Sequence, residues 1–259
     1  MQAVNTITVL PRIQAMTAPF LFNYSGSMPD LVTVISLGGS LIAPRGVDTA
    51  FLKGFCNLVE ERLTANPLLK LIIVCGGGSL ARDYQQALRD VRPQAPGDDL
   101  DWVGVAATRV NGELVRRLFP ARCVEDLVTD PTAVSVFAGR VLVAAGWKPG
   151  FSTDNDAVVL AQRFSARTVV NLSNVAKVYD DDPRKNPAAK PIDALSWKDM
   201  LAIVGGEWTP GKNTPFDPTA ARAAAQAHLR VVFAEGRNLQ NLSKILAGQP
   251  FVGTVIGPD

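Results

Sequence analysis

Short, uninterrupted apolar runs alternate with amphipathic stretches along this chain, and two of the runs end in glycine clusters. Leu31-Val-Thr-Val-Ile-Ser-Leu37 leads into Gly38-Gly39, and Lys70-Leu-Ile-Ile-Val-Cys75 leads into Gly76-Gly77-Gly78. Runs of this length, rich in β-branched residues and without polar alternation, read as strands buried on both faces. Between them Phe51, Leu52, Phe55, Leu58, Val59 and Leu63 keep a helical period behind Asp48, a predicted N-cap. Ser79 is expected to cap a second helix carrying Leu80, Tyr84 and Leu88. The same reading predicts helices over 101–118, 153–165, 196–204, 217–227 and 239–247, and strands over 141–145, 167–172, 229–234 and 252–256. Strands that alternate with helices need crossover connections. The fold class is therefore α/β, a three-layer αβα sandwich with a mostly parallel central sheet.

Composition narrows the chemistry. The chain is 259 residues long, 47% hydrophobic and 19% charged, enough apolar material for a large core. Its net charge is +2 with no basic stripe, which argues against a nucleic-acid partner. No run of 18 apolar residues exists, so no membrane-spanning helix is expected. There is one histidine, His228, and there are three scattered cysteines, Cys56, Cys75 and Cys123. A histidine-rich metal site, a zinc ribbon and a Ser-His-Asp centre all need residues this chain barely has. The cysteines read as thiols in a reducing, cytoplasmic compartment. Residues 1–30 hold three prolines, no sustained period and no signal-peptide pattern. They read as an extension, either flexible or preceding a true translation start at Met28.

Glycine clusters at strand ends let a ligand approach the backbone, and amides at a following helix N-terminus point at anions. Two such turns in one sheet would set two anion sites on its carboxyl edge, although each alone reads equally as a tight turn. No G-x-G-x-x-G fingerprint follows either strand, so a dinucleotide site is unsupported. Gly206–Asn213 nearly spells a P-loop but ends in Asn and follows a helix, not a strand. Gly150-Phe-Ser-Thr-Asp-Asn-Asp156 enters a helix that Ser152, Thr153 or Asp154 could cap.

Six segments, in this order, resemble the amino acid kinase superfamily, and most of all its uridylate kinases of archaeal type: SLGGSLIAP (36–44), CGGGSLARDY (75–84), DWVGVAATRVNGELV (101–115), GWKPGFSTDNDAV (146–158), NVAKVYDDDPRKNP (174–187) and FDPTAARAA (216–224). The resemblance covers residues 31–258. It implies one kinase domain over 31–259, with an acceptor-binding first part and an ATP-binding second part. It implies transfer of a phosphoryl group from ATP, with Mg²⁺, to UMP, and a homohexamer. By resemblance Gly77, Asp101 and the stretch Trp147, Lys148, Pro149, Gly150, Phe151, Ser152 and Thr153 hold UMP, with Asp101 on the ribose hydroxyls. Gly39, Ser40, Gly78 and Arg82 match phosphate contacts between the nucleotides. Ser173, Asn174, Tyr179 and Asp182 match the adenosine site, and Asp217 the acidic residue that orders cations around the moving phosphate.

The chain departs from that pattern twice. Many superfamily members carry Lys where this chain has Ser36, and Asp-Gly where it has Ala176-Lys177. The developing charge still needs a cation. Arg82 is the first candidate, since a guanidinium grips phosphate bidentately, followed by Lys148, Lys177 and Lys212. His228 comes too late in the chain to match the active-site histidine of isopentenyl phosphate kinase relatives. Two other readings stay open: a kinase of the same fold for another small phosphate or carboxylate, and a non-catalytic nucleotide-binding regulator.

Overall fold

The computed structural model describes residues 31–181, 185–205 and 215–258. Its centre is a seven-stranded sheet in the order β3-β2-β1-β4-β8-β9-β7. The strands are β1 (Val32–Leu37), β2 (Lys70–Cys75), β3 (Val141–Ala144), β4 (Thr168–Ser173), β7 (Ala194–Leu195), β8 (Arg230–Glu235) and β9 (Thr254–Ile256). All neighbours are parallel except β8 and β9. The predicted fold class holds, and the carboxyl ends of β1, β2, β3, β4 and β8 share one edge.

Alternate residues of each strand feed two separate cores. Val34, Ile72, Val74, Leu142, Val169 and Val231 face one side. There they pack with helices α5 (Thr153–Arg163), α6 (Trp197–Val204) and α7 (Pro218–Gln226). Ile35, Leu37, Ile73, Val143, Val170 and Leu172 face the other, against α1 (Gly39–Ile42), α2 (Thr49–Ala65), part of α4 (Gly97–Arg117) and α8 (Leu239–Leu246). Burial on both faces is why these strands read as continuous apolar runs. Helix α3 (Gly78–Val91) lies against α4 at one flank.

Local chemistry sets most boundaries. The Asp48 carboxylate accepts the Phe51 N–H and caps α2 as expected. Ser79 does not cap α3. Gly77 occupies the cap position, and the Ser79 N–H instead donates to the Ala43 carbonyl, tying the first turn of α3 to the end of α1. Helix α4 begins at Gly97, four residues before the predicted start, with Asp98 and Asp99 in its first turn where the helix dipole favours acids. The last strand is shorter than predicted because the Asn241 amide takes both the N–H and the carbonyl of Val252, removing that residue from the ladder. A two-residue hairpin, β5 (Val178–Tyr179) on β6 (Pro191–Ile192), and the short β7 had no sequence signal, being too short to show a period.

Candidate active site at the carboxyl edge of the sheet

The two glycine clusters meet. A Cβ on Gly39 would sit 2.0 Å from the Gly78 nitrogen and 2.6 Å from that of Gly77. One on Gly78, whose φ is +65°, would sit 2.3 Å from the Gly39 carbonyl oxygen. Two backbones therefore pack directly on one another, and only glycine fits at either place. Ser40 and Gly77 stay partly exposed beside this junction, and Arg82, at the start of the second turn of α3, is exposed to solvent. Among the described residues Arg82 makes no ion pair.

Next to the glycine junction lies a half-buried carboxylate that was read from sequence only as a possible cap. Ser152 caps α5, its hydroxyl accepting the Asn155 N–H at 3.3 Å. Asp154 is released for something else. Its Oδ1 accepts from the Ser36 hydroxyl at 3.0 Å and from the Asn171 amide at 3.5 Å, and its Oδ2 from the Asp217 N–H at 3.4 Å. Asp154 thus joins the ends of β1 and β4 to the start of α7. Burial, with the like charge of Asp217, pushes its carboxyl up to about 6 against the hydrogen bonds from Ser36 and Asp217. Asp217 itself is buried and caps α7, its Oδ1 accepting the Thr219 and Ala220 N–H groups at 2.7 and 2.8 Å. Ser36 therefore supplies no charge in place of a lysine. It is a buried donor that orients Asp154.

The segment after β3 carries the candidate acceptor residues. Asp101, in the second turn of α4, accepts the Gly150 N–H at 3.0 Å, and Gly150 has φ +77°. The rings of Trp147 and Phe151 lie 4.9 Å apart, with the Lys148 ammonium 3.8 Å from the first centroid and 4.9 Å from the second. Aromatic faces thus hold that cation. Pro149 and Thr153 complete the segment into α5.

The amino acid kinase family model matches residues 32–235, covering every element that ends on this edge from β1 to β8. The chain belongs to the amino acid kinase family. Within it, a uridylate kinase of Thermoplasma acidophilum is 34% identical over 228 residues, 87% of this chain and 96% of that protein. One of Methanospirillum hungatei is 31% identical over 88% of this chain and 95% of its own length. The crystal structure of uridylate kinase from Archaeoglobus fulgidus superposes with a TM-score of 0.74 at 30% identity, over 87% of this chain and 99% of that one. A UMP kinase from Bacillus anthracis, 19% identical, shares the fold with a TM-score of 0.72.

As an amino acid kinase, the chain places its remaining candidates on the far side of β1. Ser173 ends β4, and its carbonyl accepts the Gly236 N–H at 2.8 Å. Asn174 follows, exposed, and Tyr179 lies on the β5–β6 hairpin, half-buried. Lys177 forms an ion pair with Asp193, so it is not a free cation. Lys212 and Asp182 lie outside the described residues, as do the near-P-loop at 206–213 and residues 1–30. His228 is exposed in the turn after α7, with φ +50°, away from this edge. The residue that sequence reasoning undervalued is Asp154. The signal available was its place three residues before an apolar helical run with Ser152 already present as a cap.

Proposed function

We propose that this amino acid kinase is a uridylate kinase, transferring the γ-phosphoryl group of ATP to UMP to give UDP and ADP in pyrimidine nucleotide synthesis. The observation that carries the reading is the strand order β3-β2-β1-β4. Along one edge lie residues 146–153 after β3, the two glycine turns after β2 and β1, and residues 173–179 from the end of β4, which supports an acceptor at one end and ATP at the other. The relatives named above, which this chain matches over nearly their whole length, support UMP as the acceptor.

MgATP is the phosphoryl donor, its metal ion neutralising charge on the phosphates. Ser173, Asn174, Tyr179 and Asp182 take the adenosine. Gly39, Ser40, Gly78 and Arg82 take the phosphates, and Gly77, Asp101 and residues 147–153 take UMP. An oxygen of the UMP phosphate attacks the γ-phosphorus in line as the bond to the β–γ bridging oxygen breaks and ADP leaves. Such transfer relies on positioning and charge compensation, with little need for a histidine. Arg82, exposed and free of ion pairs among the described residues, is the compensating side chain, and Asp154 with Asp217 orders the cationic groups around the phosphate.

The test is a coupled assay of ADP release from MgATP with UMP, CMP, AMP, GMP and isopentenyl phosphate as acceptors. UMP is expected to be strongly preferred, and turnover with another acceptor but not UMP overturns the assignment. The enzyme is further proposed to work in the cytoplasm, where its three unpaired thiols are stable, and as a homohexamer built from dimers.

A further inference from the structure

Asp156 lies two residues beyond Asp154 on the first turn of α5, and the transfer chemistry makes no use of it. It is fully buried. Its Oδ2 accepts the Trp147 N–H at 3.3 Å, while its Oδ1 has no hydrogen-bond partner among the described residues. A buried carboxylate with an unsatisfied oxygen is costly, and an apolar residue would fill the position at lower cost. Burial pushes its carboxyl up to about 7, with Asp154 of its own helix and Asp130 of the 118–140 segment adding repulsion. The Trp147 N–H and the Arg109 guanidinium of α4 act the other way.

What this residue holds is unusual in its completeness. Gly146 and Trp147 are the first two residues of the acceptor segment after Ala145. Each of their four backbone polar groups takes a side-chain partner. The Gly146 N–H donates to the Thr108 hydroxyl at 2.8 Å. The Gly146 carbonyl accepts from Arg109 Nε at 3.3 Å and the Trp147 carbonyl from Arg109 Nη2 at 2.9 Å. The Trp147 N–H goes to Asp156. Helices α4 and α5 thus grip this dipeptide from both sides where the chain leaves the sheet, and the Trp147–Lys148–Phe151 cluster hangs directly from it.

We propose that Asp156 is a positioning residue for the acceptor: with Thr108 and Arg109 it clamps Gly146–Trp147 and so fixes the segment against which UMP binds. The proposal rests on the uridylate kinase reading for the identity of the acceptor. It also gives the buried carboxyl group a task, since its oxygen accepts the Trp147 N–H on one side of the dipeptide while Arg109 holds the two carbonyls on the other.

The experiment measures kcat and both KM values for Asp156→Ala and Asp156→Asn, with melting temperatures alongside. Asp156→Ala is expected to raise KM for UMP about tenfold, the size of one lost hydrogen bond, while kcat and KM for ATP change less than about threefold. Asp156→Asn keeps an acceptor for the Trp147 N–H and is expected to recover most of that loss. An unchanged KM for UMP in Asp156→Ala, or equal losses in kcat and both KM values, overturns the proposal. Should Asp156→Ala not fold, Arg109→Ala, at a partly exposed position, must show the same rise confined to UMP. Failure of the acceptor assignment would appear separately, in the wild-type acceptor panel. The clamp would then be measured with whichever acceptor that panel identifies.

Discussion

At the scale of single residues, the proposed mechanism divides the electrostatic work between Asp154 and Arg82. Arg82→Ala is expected to lower turnover by about 10²-fold or more while leaving the melting temperature unchanged, because the side chain is exposed and forms no ion pair among the described residues. Wild-type turnover would remove Arg82 from the mechanism. Asp154 makes the opposite prediction for stability. Its carboxyl is raised above the unfolded value, so between about pH 4 and 6 the folded protein holds more protons than the unfolded chain. Stability therefore falls as pH rises through that window, and at pH 8 the poorly solvated charge is fully a burden. Asp154→Asn keeps an oxygen for Ser36 and Asn171 and loses the charge. It is expected to melt a few degrees higher than wild type at pH 8, with little difference at pH 4, while losing most of its activity. A variant less stable at pH 8 would show that the charge does not strain the fold, and one equally active would remove Asp154 from the reaction. Such a residue, unfavourable to stability and retained, fits a role in the reaction.

At the scale of elements, the glycine junction between β1–α1 and β2–α3 is the tightest joint. Gly39→Ala is expected to cost several kcal/mol, seen as a lower urea midpoint, because the neighbouring atoms are backbone and cannot give way. Gly97→Ala, whose added carbon meets nothing, serves as the control and should be close to neutral. These joints also show what was legible in advance. Strands β1 and β2, the helical period of α2 and the glycine turns could be read directly, because burial on two faces and a 3.6-residue repeat write themselves into sequence. The β5–β6 hairpin could not, because two-residue strands carry no period. Nor could the role of Asp154. Its meaning depends on Ser36 and Asn171, 118 and 17 residues away along the chain, meeting it at one sheet edge. Ser79 misled for the same reason: its N–H is claimed by Ala43 on another element, so α3 starts without a side-chain cap.

At the scale of the whole molecule, helix α3 presents Tyr84, Leu88 and Val91 on one outer face, with Tyr84 63% and Val91 86% exposed. Spacing of four and three residues makes them a single apolar stripe, the kind of surface a second copy covers. If the proposed homohexamer forms through this face, the double variant Tyr84→Glu, Val91→Glu reduces the mass seen by light scattering below that of the unsubstituted protein while the chain stays folded. An unchanged mass would move the interface elsewhere.

The strand order has a metric consequence as well. Between the ends of β3 and β4 lie three inter-strand steps of about 4.8 Å, so roughly 14 Å separates the roots of the two substrate segments. Backbone hydrogen bonding fixes that ruler, and no side-chain change can stretch it. Evolution or engineering that retargets this scaffold to a longer or shorter acceptor must therefore do so in the loops above the sheet, by resizing residues 146–153, while the distance between donor and acceptor roots stays constant.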